Sequence, residues 1–68
     1  YLFRVIRSAF SQRRKTLPNP LSGALSLTKE QVAAALTVCG LSPTARAEEL
    51  TLSQFISLAN TLYEVRHG

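Results

Sequence analysis

Apolar residues recur at Phe3, Ile6, Phe10 and Leu17 in a stretch from Leu2 to Leu17 that holds neither Pro nor Gly. That spacing predicts an amphipathic helix over about 2–17 rather than a strand, whose side chains would alternate. At about 100° per residue, Leu2, Phe3, Val5, Ile6, Ala9, Phe10 and Leu17 share one arc. Arg4, Arg7, Ser8, Ser11, Gln12, Arg14 and Lys15 fill the other. Arg13 alone breaks the pattern, because the same wheel sets it between Leu2 and Ile6. An inward guanidinium has to snorkel or meet an acid, since an unpaired buried charge costs several kcal/mol. Arg13 is therefore expected to be structural, and Arg14 and Lys15 to be free for a ligand.

Pro18-Asn19-Pro20 predicts the stop of this helix, because the residue before a proline is pushed out of the helical region. Leu21 to Leu25 reads as a connector with room for one helical turn, loosened by Gly23. Two start signals follow that are nearly copies of one another. Leu27-Thr28-Lys29-Glu30-Gln31-Val32 sets a Thr cap three residues before Gln, with Leu27 and Val32 as a hydrophobic staple. Leu50-Thr51-Leu52-Ser53-Gln54-Phe55 repeats the device. We read the repetition as shared capping chemistry and not as a solenoid period. The first signal opens a helix over about 29–39 that ends at Gly40. The second opens a helix over about 52–65 whose apolar arc holds Leu52, Phe55, Ile56, Leu58, Ala59, Leu62, Tyr63 and Val65. Ser42-Pro43 looks like a further short start. The expectation is an all-α fold, a small bundle of three main helices with short helical turns between them.

Composition narrows the function classes. Sixty-eight residues make one domain at most, and 46% apolar residues make it a folded one. Eight Lys and Arg against four Glu give a formal charge of +4, which favours a polyanionic partner such as nucleic acid or an anionic surface. The single Cys39 forms no internal disulfide and supplies no metal set, and a small buried filler is expected there in preference to a reactive thiol. No apolar run is long enough to span a bilayer, and Arg4 and Arg7 within the opening stretch argue against a signal peptide.

Candidate chemistry is sparse. His67 is the only histidine, so no histidine triad or metal cluster is expected, and adjacent Glu48 and Glu49 make a poor acid/base pair. Tyr1, Tyr63 and the three Phe read as core or terminal residues, not as a stacking platform among the cations. Arg4, Arg7, Arg14 and Lys15 remain as the candidates for contact with a nucleic-acid backbone. Glu48 and Glu49, in Ala45-Arg46-Ala47-Glu48-Glu49-Leu50, either supply a carboxylate for Arg13 or stand as solvated charges near a helix N-terminus. A helix-turn-helix DNA reader is disfavoured, because the later helices carry too few base-reading groups.

Phe10-Ser11-Gln12-Arg13-Arg14-Lys15-Thr16-Leu17, with Asn19 and Leu21, precedes a second block, Gly40-Leu41-Ser42-Pro43-Thr44-Ala45-Arg46-Ala47-Glu48-Glu49-Leu50-Thr51-Leu52-Ser53-Gln54-Phe55, and then Leu58-Ala59-Asn60. In motifs, order and gaps the chain resembles the C-terminal domain of the bacterial ribosomal RNA small-subunit adenine N6,N6-dimethyltransferases of the KsgA type. The resemblance implies an S-adenosylmethionine-dependent enzyme acting on two adjacent adenosines of 16S ribosomal RNA during ribosome biogenesis in the cytoplasm. It also implies an N-terminal Rossmann-like catalytic domain with a Gly-rich cofactor loop and an Asn-Leu/Ile-Pro-Tyr/Phe motif. Neither motif occurs in residues 1–68, so the chain is expected to be the helical domain alone, with no catalytic, cofactor-binding or metal-binding residues of its own. Its expected partners are 16S ribosomal RNA, the immature small subunit and the catalytic domain, without a membrane or a metal. The expected role is to dock RNA and orient the substrate. The alternative is a lid or protein-interaction domain packed on the catalytic part without touching RNA.

Overall fold

The computed structural model describes residues 1–12 and 14–67, His67 by its backbone alone. Four α-helices and one short 3-10 turn follow in order: α1 (Leu2–Ser11), α2 (Pro18–Leu25), α3 (Lys29–Val38), the turn Ala47–Glu49, and α4 (Leu52–His67). No strand forms among the described residues, and the class is all-α as expected.

The two capped starts form as the pattern predicts. The Thr28 N–H donates to Gln31 Oε1 at 2.9 Å and the Gln31 N–H to Thr28 Oγ1 at 3.0 Å. At α4 the Thr51 N–H donates to Gln54 Oε1 at 2.8 Å and the Gln54 N–H to Thr51 Oγ1 at 3.2 Å. Each reciprocal pair satisfies two backbone donors that an uncapped helix leaves open. α3 closes at Gly40, whose φ of 77° suits glycine, and the Leu41 N–H reaches back to the Leu36 carbonyl at 2.8 Å. Cys39 is half-buried with its Sγ 3.4 Å from Thr61 Oγ1, so it fills space between α3 and α4. Ser42 starts no helix. Its Oγ accepts the Thr44 N–H at 3.2 Å, and the helical turn comes only at Ala47.

The opening half corrects the pattern. α1 ends at Ser11, six positions short of the expected Leu17, with Gln12 outside the helical region at φ −135° and ψ 58°. On a continued helix Leu17 would lie beside Phe10, which is 46% exposed; after the break it is fully buried. The Leu17 N–H then donates to the Ala45 carbonyl at 2.9 Å, and an isolated antiparallel bridge pairs Thr16 with Arg46. Burial of one leucine and a pairing partner some thirty positions away thus outweigh local helix propensity. Pro18 and Pro20 do not stop α1, which has already ended at Ser11. They occupy the first turn of α2, where a missing N–H costs nothing, and α2 runs past Gly23 to a left-handed Ser26 at φ 57°.

Side chains from every helix meet in a single core. Val5 and Ala9 of α1, Leu21 and Leu25 of α2, Val32 and Leu36 of α3, and Phe55, Leu58 and Leu62 of α4 surround Leu17 and Ala47. The wheel's apolar arc on α1 is only partly inward, because Phe3 is 77% exposed and Phe10 is half-exposed.

Candidate nucleic-acid interface

The α1 break creates the site. Beyond Ser11 the Lys15 N–H donates to the Gln12 carbonyl at 2.9 Å, and Arg14 and Lys15 are both exposed. Ser11, Gln12, Arg14 and Lys15 line an open surface cleft of about 380 Å³. The Thr16–Arg46 bridge brings a further exposed cation to this end of the molecule. Arg46 is held there by a carboxylate: its N–H donates to Glu49 Oε2 at 2.7 Å, and the Glu49 N–H returns to the Arg46 carbonyl at 3.0 Å.

Charge is distributed unevenly along the chain. Arg4, Arg7, Arg13, Arg14, Lys15 and Lys29 all precede the first acidic residue, Glu30. α1 and the turn after it therefore carry cations undiluted by any carboxylate of their own, which is the charge pattern of a backbone-binding surface.

The four predicted contact residues do not act as one row. Arg7 is exposed on α1, and Arg14 and Lys15 lie beyond its end, turned by the break rather than by the helix. Arg4 is exposed but engaged: its Nη2 donates to the Ala24 carbonyl at 2.9 Å. Arg66 of α4 donates through Nη1 to the neighbouring Leu25 carbonyl. Two cations thus cap the C-terminal end of α2, where carbonyls lack helical partners and the dipole is negative. Arg4 is accordingly a brace between α1 and α2.

Of the expected ion pair, Arg13 lies outside the described residues. Glu48 is exposed and Glu49 serves the Arg46 N–H. Arg46, in the segment Ala45–Leu50 whose pattern points to its acids, is not among the residues that the sequence predicts for contact. Its signal lies in the pairing of that segment with Thr16, which no periodicity reports.

The aromatic residues also depart from expectation. Phe55 is buried, but Phe3 and Phe10 expose large areas two turns apart on α1, with Arg7 between them in sequence. Phe10 rests on Phe55 with ring centroids 5.8 Å apart and planes at 41°, and Tyr1 meets Tyr63 edge-on at 5.3 Å. Leu52 and Ile56 of α4 are exposed as well. Among the described residues no helix is long and apolar enough to cross a membrane.

No family model matches the chain. Several curated relatives share the description ribosomal RNA small subunit methyltransferase A. The protein of that description from Desulfitobacterium hafniense is 49% identical over 53 residues, covering 78% of this chain and 19% of the relative. That from Geobacter metallireducens is 46% identical over 63 residues, 91% of this chain and 23% of the relative. That from Lachnoclostridium phytofermentans is 46% identical over 65 residues, 93% and 22%. The chain spans about a fifth of the length of the relatives it matches. The resemblance drawn from the two motif blocks is borne out.

Proposed function

The chain is a domain related over nearly its whole length to ribosomal RNA small subunit methyltransferase A, and from that premise we propose that it docks RNA and orients it for a dimethyltransferase. The enzyme would use S-adenosylmethionine to modify two adjacent adenosines of 16S ribosomal RNA on the immature small subunit, in the cytoplasm. Cofactor and catalytic groups would belong to the rest of the longer protein, an N-terminal catalytic domain, and residues 1–68 would form the single C-terminal domain beside it.

The observation that carries this reading is the basic turn: Arg14 and Lys15 exposed at the lip of a cleft, with Arg7 on the adjoining helix and Arg46, next to Glu48 and Glu49, drawn in by its bridge to Thr16. Cations so placed meet phosphates and the shape of a folded RNA; they hold the target in register and leave the choice of base to other groups. Arg4 is kept from that role by its bond to Ala24.

A second reading has an observation of its own. Phe3, Leu52 and Ile56 are exposed, and exposed large apolar side chains favour a protein neighbour, which here would be the catalytic domain. The two readings differ in salt dependence. Replacing Arg14 and Lys15 together by Ala should weaken binding of the chain to a structured ribosomal RNA fragment and lower the slope of log K against log salt by about 1–2. An unchanged affinity and slope in a titration between low and physiological salt would rule the docking role out.

A further inference from the structure

We propose that the side of the molecule where α1 lies along α4 is the surface on which the catalytic part of the longer protein packs, leaving the basic turn beside it open to RNA. The inference rests on the reading of residues 1–68 as one domain of a longer enzyme, and it is independent of whether Arg14 and Lys15 bind RNA.

Exposed apolar bulk is concentrated on this side. Eight large apolar side chains are exposed among the described residues, and six of them, Tyr1, Phe3, Phe10, Leu52, Ile56 and Tyr63, border the line where the two helices meet. Tyr1 touches Tyr63 and Phe10 touches Phe55, so α1 and α4 run antiparallel. At about 100° per residue, Leu52, Ile56 and Tyr63 share one stripe of α4 next to the buried Phe55 and Ala59. Thr61, across the helix from that stripe, reaches Cys39 at the end of α3, so the stripe is on the side turned to α1. On α1, Phe3 and Phe10 stand two turns apart on one edge, while Arg4 on another edge ties to Ala24 of α2. The two apolar edges therefore flank one seam, with Arg7 at its outer margin.

The size of the seam suits a neighbouring domain. Six side chains of this kind, each partly exposed, offer on the order of 500 Å², and contacts between domains of one chain bury roughly 600–1,500 Å². What covers it follows from the connection of the chain. Residues 1–68 span 19% and 23% of the Desulfitobacterium and Geobacter relatives, so the greater part of such a protein lies outside them. The Tyr1–Tyr63 contact sets the start of α1 beside the last turns of α4. Whichever end carries the remainder, it joins at one end of this seam. A tethered domain meets the seam at an effective concentration in the millimolar range, an advantage that a second copy of the chain lacks.

Hydroxyl-radical footprinting of the full-length protein, without RNA and read by mass spectrometry, tests this. Phe3, Leu52 and Val38 are 77%, 64% and 76% exposed in the domain, and Val38 stands on α3, away from the seam. A covered seam excludes water as a protein interior does, so Phe3 and Leu52 should be protected at least about fivefold more than Val38, each corrected for its intrinsic reactivity. Ile56→Lys, which sets a charge in the seam, should return Phe3 to the level of Val38. Equal reactivity of the three in the full-length wild type would overturn the proposal, as would protection of Phe3 that survives Ile56→Lys. Protection that grows with protein concentration would assign the seam to a second copy and overturn it too. If Ile56→Lys fails to fold by circular dichroism, the wild-type footprint decides alone. A parent gene that encodes residues 1–68 and no more would bring down the domain reading together with this proposal, whereas an open seam in a longer protein brings down the proposal only.

Discussion

The two halves of the molecule obey different rules. In α3 and α4 each start is written in four or five adjacent residues, because Thr28 and Thr51 bond the backbone of their own first turn and Gln31 and Gln54 return the bond. In the opening half, the end of α1 is decided by residues far along the chain: Ala45 accepts the Leu17 N–H and Arg46 pairs with Thr16. The proposed RNA surface falls on the second kind of structure. A straight helix to Leu17 would have spread its cations along one face, whereas the break gathers Arg14, Lys15 and Arg46 at one end and opens a cleft among the residues between.

If long-range burial governs the opening half, Leu17 is its keystone. Leu17→Ala should lose about 2–5 kcal/mol, as a fully buried leucine does, measured by urea unfolding. A loss below about 1 kcal/mol would mean that the break does not depend on it. The capped half should respond locally and less. Thr51→Ala should cost about 1 kcal/mol, and thermal unfolding of Thr51→Ser, which keeps the hydroxyl, should recover most of it. The smallest effect returns to the junction between the halves. Ser26 closes α2 at φ 57°, a conformation that glycine adopts without its penalty. Ser26→Gly should raise stability by roughly 0.5 kcal/mol, seen as a higher melting temperature; a fall would show that the serine's restriction of the unfolded chain outweighs the relief of strain.

What was legible in the sequence follows the same division. Capping boxes, the Gly40 stop and the apolar arc of α4 are short-range patterns, and the structure has them where the residues predict, with α4 continuing two residues beyond Val65. Helical periodicity through Leu17 gave the right residues on the wrong path, since a wheel assumes a continuous helix. Pro18-Asn19-Pro20 punctuates the chain, but whether such a run closes one helix or opens the next depends on where Leu17 is buried. For the site, Arg7, Arg14 and Lys15 were legible as exposed cations. The commitment of Arg4 to Ala24, the arrival of Arg46 and the partial exposure of Phe10 depend on which elements become neighbours, and that is a property of the packed bundle.

The chain leaves its first helix at Ser11, sending Leu17 inward and Arg14 and Lys15 outward. Backbone chemical shifts and amide exchange of the 68-residue chain in solution read this directly. We expect Cα shifts to be helical to Ser11, non-helical from Gln12 to Thr16 and helical again from Pro18, with a slowly exchanging Leu17 amide. Unbroken helical shifts from Leu2 through Leu17, with that amide no better protected than those of Arg14 and Lys15, would contradict it.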